Sequence, residues 1–230
     1  MKPKLFLIIK DRSERVKRKN FRPIQGVPLH EYFMSQRHSF DIYIDTDSED
    51  ILNFYSGEEW PDVHAYRRLQ EHVAIEEQGN ISPAPLMIER FAKSYLLPND
   101  VIITSHLTSP FIQDHTILSA FDLIGPYDSV CSVEPIQEFA VDRVGAMGRP
   151  INFELERVVK TQSLEPIGVV KGAFFIIKAA TFLSNGLQRI STKHYYYPIS
   201  KFEAIDIDTE KDMVIADSIA GSLHDIDQKG

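Results

Sequence analysis

The sequence predicts an α/β protein, a mostly parallel sheet with helices on both faces and a small inserted lobe. Three observations predict it. Residues 5–9, L-F-L-I-I, are continuously apolar, as a strand buried on both faces must be, and too few to cross a membrane. Strand-like and helix-like stretches then alternate along the chain, the pattern of parallel βαβ units. The first strand also empties into a basic loop, and open α/β sheets bind ligands just beyond their strand ends.

Charge and composition narrow the function classes. The chain has 230 residues, 43% apolar and 25% charged, which suits one globular domain, 1–230, with its own core. Its net charge is -8, yet from Lys10 to Arg22 seven cations face two anions, a local +5 that leaves -13 for the remainder. The expected ligand of that loop is therefore an anion, phosphate first. A chain otherwise so acidic is not expected to bind nucleic acid. No apolar run approaches the roughly 20 residues of a membrane span, and residues 1–9 lack a secretory cleavage pattern, so a cytoplasmic protein without membrane contact is expected. The single cysteine, Cys131 in S-V-C-S-V, excludes an intrachain disulfide and reads as a buried strand residue.

The elements follow in order. After the loop, Pro28 opens a helical pattern with Leu29, Tyr32 and Phe33 that fades near Ser39. Residues 41–45, D-I-Y-I-D, are β-branched and aromatic and predict a strand, and Ser48 is placed to cap a short helix reaching Tyr55. A weaker strand is expected at 63–66, then a polar stretch, 67–80, without periodicity. Ser82-Pro83 starts a long helix to about Leu96. Strand 101–104 is buried, Asp114 is expected to cap a helix to Ile124, and strand 129–133 closes the first half. Residues 134–170 show no element and are expected to form a functional or subsidiary lobe. A strand at 172–178, a short helix to Gly186 and an edge strand at 195–199, demoted by Pro198, come next. The chain then predicts a strand over 203–209 and a helix from Glu210 that stops at Gly221. Trp60 and the run Tyr195 to Tyr197 read as packing residues.

Several short patterns carry chemistry. In I-D-I-D-T, 205–209, a period of two puts Asp206 and Asp208 on one face, where two carboxylates are costly unless a cation lies between them. Oxygen donors of this kind select magnesium or manganese. The competing reading is that Asp208 or Thr209 caps the helix that follows, which accounts for one acid at most and leaves Asp206 over. Asp45-Thr46-Asp47 is a second such triplet at a strand end, and Asp47 is expected to serve a structural or nucleotide-proximal role before a metal role. His106 and Thr108-Ser109-Pro110 follow the strand at 101–104. No G-x-x-x-x-G-K-S/T loop, G-x-G-x-x-G fingerprint or H-E-x-x-H is present, so a nucleotide site must use the loop over 5–20.

Ser13, Lys19 and Asn20, with Thr108 to Pro110, Gly172-Ala173 and I-D-I-D-T, resemble the cytidylyltransferases that activate sialic acids and related sugar acids. The chain departs from that family's pattern at Lys10, Glu14, Lys17, His106, Leu107 and Val169. The resemblance implies a Rossmann-like nucleotidyltransferase fold of the nucleotide-diphospho-sugar transferase type. It implies transfer of CMP from CTP to a sialic-acid-like or other 3-deoxy-2-ulosonic acid. Lys10, Ser13, Lys19, Asn20, Arg67 or Arg68, Thr108 and Ser109 would then meet the nucleotide, and His106, Gln162 and Lys171 the sugar. Lys19, Asp206 and Asp208 would be catalytic, with the two aspartates holding magnesium or manganese. Residues 134–170 would form a dimerisation and sugar-site lobe, giving a homodimer. Another sugar nucleotidyltransferase, a nucleotide-sugar glycosyltransferase resting on Asp45-Thr46-Asp47, and a catalytically weakened nucleotide-binding protein stay open as alternatives.

Overall fold

A computed structural model describes residues 2–13, 16–79, 81–157 and 159–227. The strands are β1 (Lys4–Ile9), the short ribbon β2 (Pro23–Ile24) and β3 (Val27–Pro28), β4 (Asp41–Thr46), β5 (Val63–Arg67), β6 (Val101–Ser105), β7 (Ser129–Ile136), β8 (Ile167–Lys178) and β9 (His194–Pro198). The helices are α1 (Leu29–Met34), α2 (Glu49–Phe54), α3 (Gln70–Glu77), α4 (Ala84–Tyr95), α5 (Asp114–Phe121), α6 (Ala179–Ser184) and α7 (Glu210–Asp227). Seven strands form one sheet in the order β5-β4-β1-β6-β8-β7-β9. Only β8 runs against the others, antiparallel to both β6 and β7, so the sheet is mostly parallel as predicted.

Both faces of this sheet are covered, which explains the unbroken apolar run in β1. Leu5, Leu7 and Ile9 enter one core with Leu29 and Phe33 of α1, Ile117 of α5 and Met213 and Ala216 of α7. Phe6 enters the other with Met87 and Phe91 of α4, Ile177 of β8 and Phe182 of α6, its ring stacked 4.8 Å from that of Phe91. Helix α4 starts as Ser82 and Pro83 suggest, the Ala84 N–H donating to Ser82 Oγ at 3.3 Å. Cys131 is fully buried, and desolvation pushes its thiol up to about 12. Trp60, Tyr195 and Tyr197 pack against the core, and β9 is an edge strand.

Six expectations need correction. The polar stretch after β5 contains α3, a helix without an apolar stripe, in which His72 alone is buried. The segment 134–170 is not free of strands, because β7 continues to Ile136 and β8 begins at Ile167, the two pairing outward past a bulge between Cys131 and Val133. Helix α1 ends at Met34, and α5 is preceded by Gln113 as its cap while the Asp114 carboxylate accepts from Arg37 Nη1 and the Ser39 N–H, each at 3.0 Å. Residues 205–208 form no strand. Helix α7 runs through Gly221, whose missing side chain leaves room for Gln25: a Cβ there would lie 3.0 Å from its amide nitrogen. Among the described residues no helix is long and apolar enough to cross a membrane.

Candidate functional site

The parallel registers bring the carboxyl ends of β1, β4, β5 and β6 to one edge of the sheet. The basic loop leaves β1 there and is fastened at both ends. The Asp11 N–H donates to Asp47 Oδ1 at 2.9 Å, Ser48 Oγ donates to the Asp11 carboxylate at 3.0 Å, and buried Asn20 donates Nδ2–H to the Lys10 carbonyl at 2.8 Å. Arg18 takes a left-handed conformation (φ 51°) that turns the chain into the 3-10 segment Lys19–Phe21. Lys19 is thereby aimed at the segment before α7. Its ammonium donates to the Ile207 carbonyl at 2.8 Å and lies 3.8 Å from Asp208 Oδ1. The Ile207 N–H in turn donates to the Thr108 carbonyl at 2.8 Å. Three segments distant in sequence, at 19, 108 and 207, thus meet through one backbone strut.

That strut explains the alternation in I-D-I-D-T without a strand. Ile207 is fully buried, Asp206 is exposed and Asp208 is partly exposed, so an extended segment lies half-sunk on the protein with its acids outward. Capping of α7 falls to other residues. The Asp212 N–H approaches Thr209 Oγ1 at 3.3 Å, and the Thr209 N–H and hydroxyl donate to Asp212 Oδ2 at 2.7 and 2.8 Å, a reciprocal capping box. These bonds hold the Asp212 carboxyl below the usual carboxylate range. The side chains of Asp206 and Asp208 therefore have no capping duty. Among the described residues no group of three or more His, Cys, Asp or Glu is placed to hold a metal ion. Two carboxylates fit magnesium, which keeps waters and substrate phosphates as its other ligands.

The other acidic triplet has a different environment. Asp45 is fully buried, with Arg68 Nε at 2.8 Å from Oδ1 and Arg90 Nη1 at 3.4 Å from Oδ2. Burial pushes its pKa up, and the two guanidiniums pull against it. Arg68 is itself 2% exposed and also meets Glu76 at 2.8 Å, Asp47 at 3.5 Å and the Ile9 carbonyl at 3.2 Å. Arg67 is exposed and paired with Glu49, and Lys10, also exposed, is paired with Glu76. Ser13 lies half-buried in the loop, Ser109 is buried and Thr108 is half-buried.

On the sugar side, His106 follows β6 and lies against Gly172, where a Cβ would come within 3.1 Å of Nδ1. Crowding by the protein, then the positive charges of Arg189 and Lys19, push the His106 pKa down, so the ring is neutral at neutral pH although the residue keeps an exposed side. Lys171 Nζ lies 3.0 Å from Glu134 Oε2. Gln162, in the 3-10 segment Thr161–Ser163, is exposed in the lobe, its carbonyl accepting from Gln137 at 3.1 Å, with no bond to the Lys19 cluster. Glu76, Arg90 and Arg189 were not singled out by sequence. None belongs to a recognisable pattern, and only the packing of α3, α4 and the chain after α6 brings it to this edge.

No protein-family model matches the sequence, and no curated protein does. Solved structures do match. A CMP:2-keto-3-deoxy-manno-octonic acid synthetase complexed with CTP superposes with a TM-score of 0.63 at 10% identity, over 96% of this chain and 99% of that one. A 4-diphosphocytidyl-2C-methyl-D-erythritol synthase from Anaerococcus prevotii gives 0.58 at 12% identity over 95% and 96%. A 2-C-methyl-D-erythritol 4-phosphate cytidylyltransferase from Thermus thermophilus gives 0.57 at 13% over 94% and 97%. At such identities the likeness establishes architecture alone: the chain shares the fold of these solved structures.

Proposed function

We propose that this protein is a cytidylyltransferase that moves CMP from CTP to the anomeric hydroxyl of a sialic-acid-like or other 3-deoxy-2-ulosonic acid, releasing pyrophosphate. The observation that carries the reading is the junction of Lys19, Thr108 and the Asp206 to Asp208 segment at the carboxyl edge of the sheet. It sets a cation and two outward carboxylates beside the loop that concentrates the chain's positive charge. The acceptor oxygen attacks the α-phosphorus in line and the bond to the departing pyrophosphate oxygen breaks, so the protein's task is positioning and charge neutralisation. Lys10, Lys19, Ser13 and Asn20 supply donors to triphosphate and nucleoside. Neutral His106 offers the acceptor one hydrogen bond. Asp206 and Asp208 would hold a magnesium ion, which when bound neutralises phosphate charge.

The lobe supports a homodimer. Phe139, Val141, Ile151 and Leu155 are exposed there, and Val144 and Met147 almost wholly so, an apolar surface that a twofold mate would cover. Light scattering should give twice the 26.3 kDa chain mass, and a monomer at micromolar concentration removes the proposal.

A second reading keeps the cytidylyl transfer and changes the acceptor to a phosphorylated sugar alcohol, since two of the matched structures are named for such chemistry. The glycosyltransferase alternative loses its feature, because Asp45 is sealed against Arg68 and Arg90. Thermal shift with ATP, GTP, UTP, CTP and nucleotide sugars, each with magnesium, tests the choice. Stabilisation selective for CTP is expected. Selective stabilisation by a nucleotide sugar, or none by any nucleotide, would overturn it.

A further inference from the structure

Two cations stand near the sugar side of the site, and their surroundings differ. Lys171 already has a carboxylate, Glu134 Oε2, at 3.0 Å. Arg189, in the connection after α6, has no hydrogen bond or ion pair among the described residues. Its guanidinium carbon lies 3.8 Å over the ring of Phe175, a cation-π contact that fixes the plane of the group while leaving its N–H donors unused. Phe175 is the register partner of Thr104 on β6 and of Cys131 on β7, which puts Arg189 on the face of the sheet from which β6 runs out to His106. The charge of Arg189 is felt at both His106 and Cys131. Thr104, 4% exposed, carries a buried hydroxyl with no partner on this same row.

A half-buried guanidinium held flat on a ring, with no carboxylate beside it among the described residues, is open to an incoming anion. We propose that Arg189 is the anchor for the acidic group of the acceptor, its planar fork receiving a carboxylate or phosphate while His106 meets a neighbouring oxygen. The assignment rests on the proposed cytidylyl transfer to an acidic acceptor. It moves the carboxylate contact from Lys171, which is internally neutralised, to Arg189. A bidentate fork also discriminates: an acceptor whose acid is esterified cannot satisfy it.

The test compares wild type, Arg189→Gln and Arg189→Lys by pyrophosphate release with CTP and either a free sugar acid or its methyl ester. Wild type should prefer the free acid at least about tenfold in kcat/KM, a loss of roughly 1.4 kcal/mol on esterification. Arg189→Gln should lose that preference with KM for CTP unchanged, and Arg189→Lys should keep part of it. Unchanged CTP affinity in calorimetry certifies that each variant is folded. An Arg189→Gln enzyme that keeps both the acceptor KM and the preference for the free acid overturns the proposal. If wild type turns over no sugar acid, the proposed function fails separately. Arg189 is then judged by calorimetry with 2-C-methyl-D-erythritol 4-phosphate in the presence of CTP. Binding lost in Arg189→Gln supports the anion anchor, and equal binding in both proteins, or none in either, contradicts it.

Discussion

Asp45-Thr46-Asp47 and Asp206-Ile207-Asp208 have the same spacing of acids and opposite fates. The first begins on β4, where parallel neighbours on both sides bury Asp45 completely and force two arginines to neutralise it. The second lies on an extended segment outside the sheet, tied down through the Ile207 N–H and carbonyl and the Asp208 N–H, with the Asp206 side chain exposed, that of Asp208 partly so, and Lys19 beside Asp208. One triplet is a structural rivet and the other has charge to offer a ligand. What separates them is the number of backbone partners around the segment, which a spacing motif does not record.

Breaking the two triplets should therefore fail in different ways. Arg68→Leu strands Asp45 as a buried charge with only Arg90 nearby and should cost about 3–5 kcal/mol of stability, read from the urea midpoint. A midpoint close to wild type would show that Asp45 is not held by this pair. Asp208→Asn should leave the midpoint nearly unmoved and lower turnover about a hundredfold, roughly 2.7 kcal/mol in the barrier. Near wild-type turnover in a folded Asp208→Asn protein would reduce the outer triplet to surface.

The helix start sharpens the same contrast. Thr209→Ala removes the cap and should cost about 1 kcal/mol, whereas Asp208→Asn should not fray α7. Circular dichroism with urea distinguishes them. The smallest effect is in acid. Because the Asp212 carboxyl is lower in the folded state than when unfolded, its contribution is present above the ordinary carboxylate pKa and is lost as pH falls through the depressed value. Asp212→Asn should flatten that part of the acid limb of a stability-pH curve, and Asp208→Asn should leave it in place. The reverse outcome would hand the capping role back to Asp208.

Sequence reading went furthest where burial is continuous. β1 is apolar from Leu5 to Ile9, and β4 and β6 are apolar over 42–44 and 101–103, because helices cover both sides of the sheet. It went less far where structure rests on charge. Helix α3 has no apolar stripe to announce it, yet its Glu76 meets both Lys10 and Arg68. The outer parts of β7 and β8 carry exposed Val169 and Val170 and a proline, so they lack the signature of core strands. At 205–209 the alternation correctly marked which residues face water and wrongly implied a ladder, since a half-buried extended segment has the same period as a strand. Lys19 and Asp208 were legible as candidates by residue type; that the Ile207 backbone brings Lys19 and Thr108 together beside Asp208 was not, because backbone bonds leave no mark on side-chain choice.

Pyrophosphate release by the wild-type protein, with CTP, magnesium and a panel of 3-deoxy-2-ulosonic acids, tests the central claim most directly. The account predicts release that needs both CTP and one of the acids, and that falls about a hundredfold in Asp208→Asn while Asp45 and Arg68 are left intact. Release that proceeds equally without a sugar acid, or none with any acid while CTP binds, would contradict it.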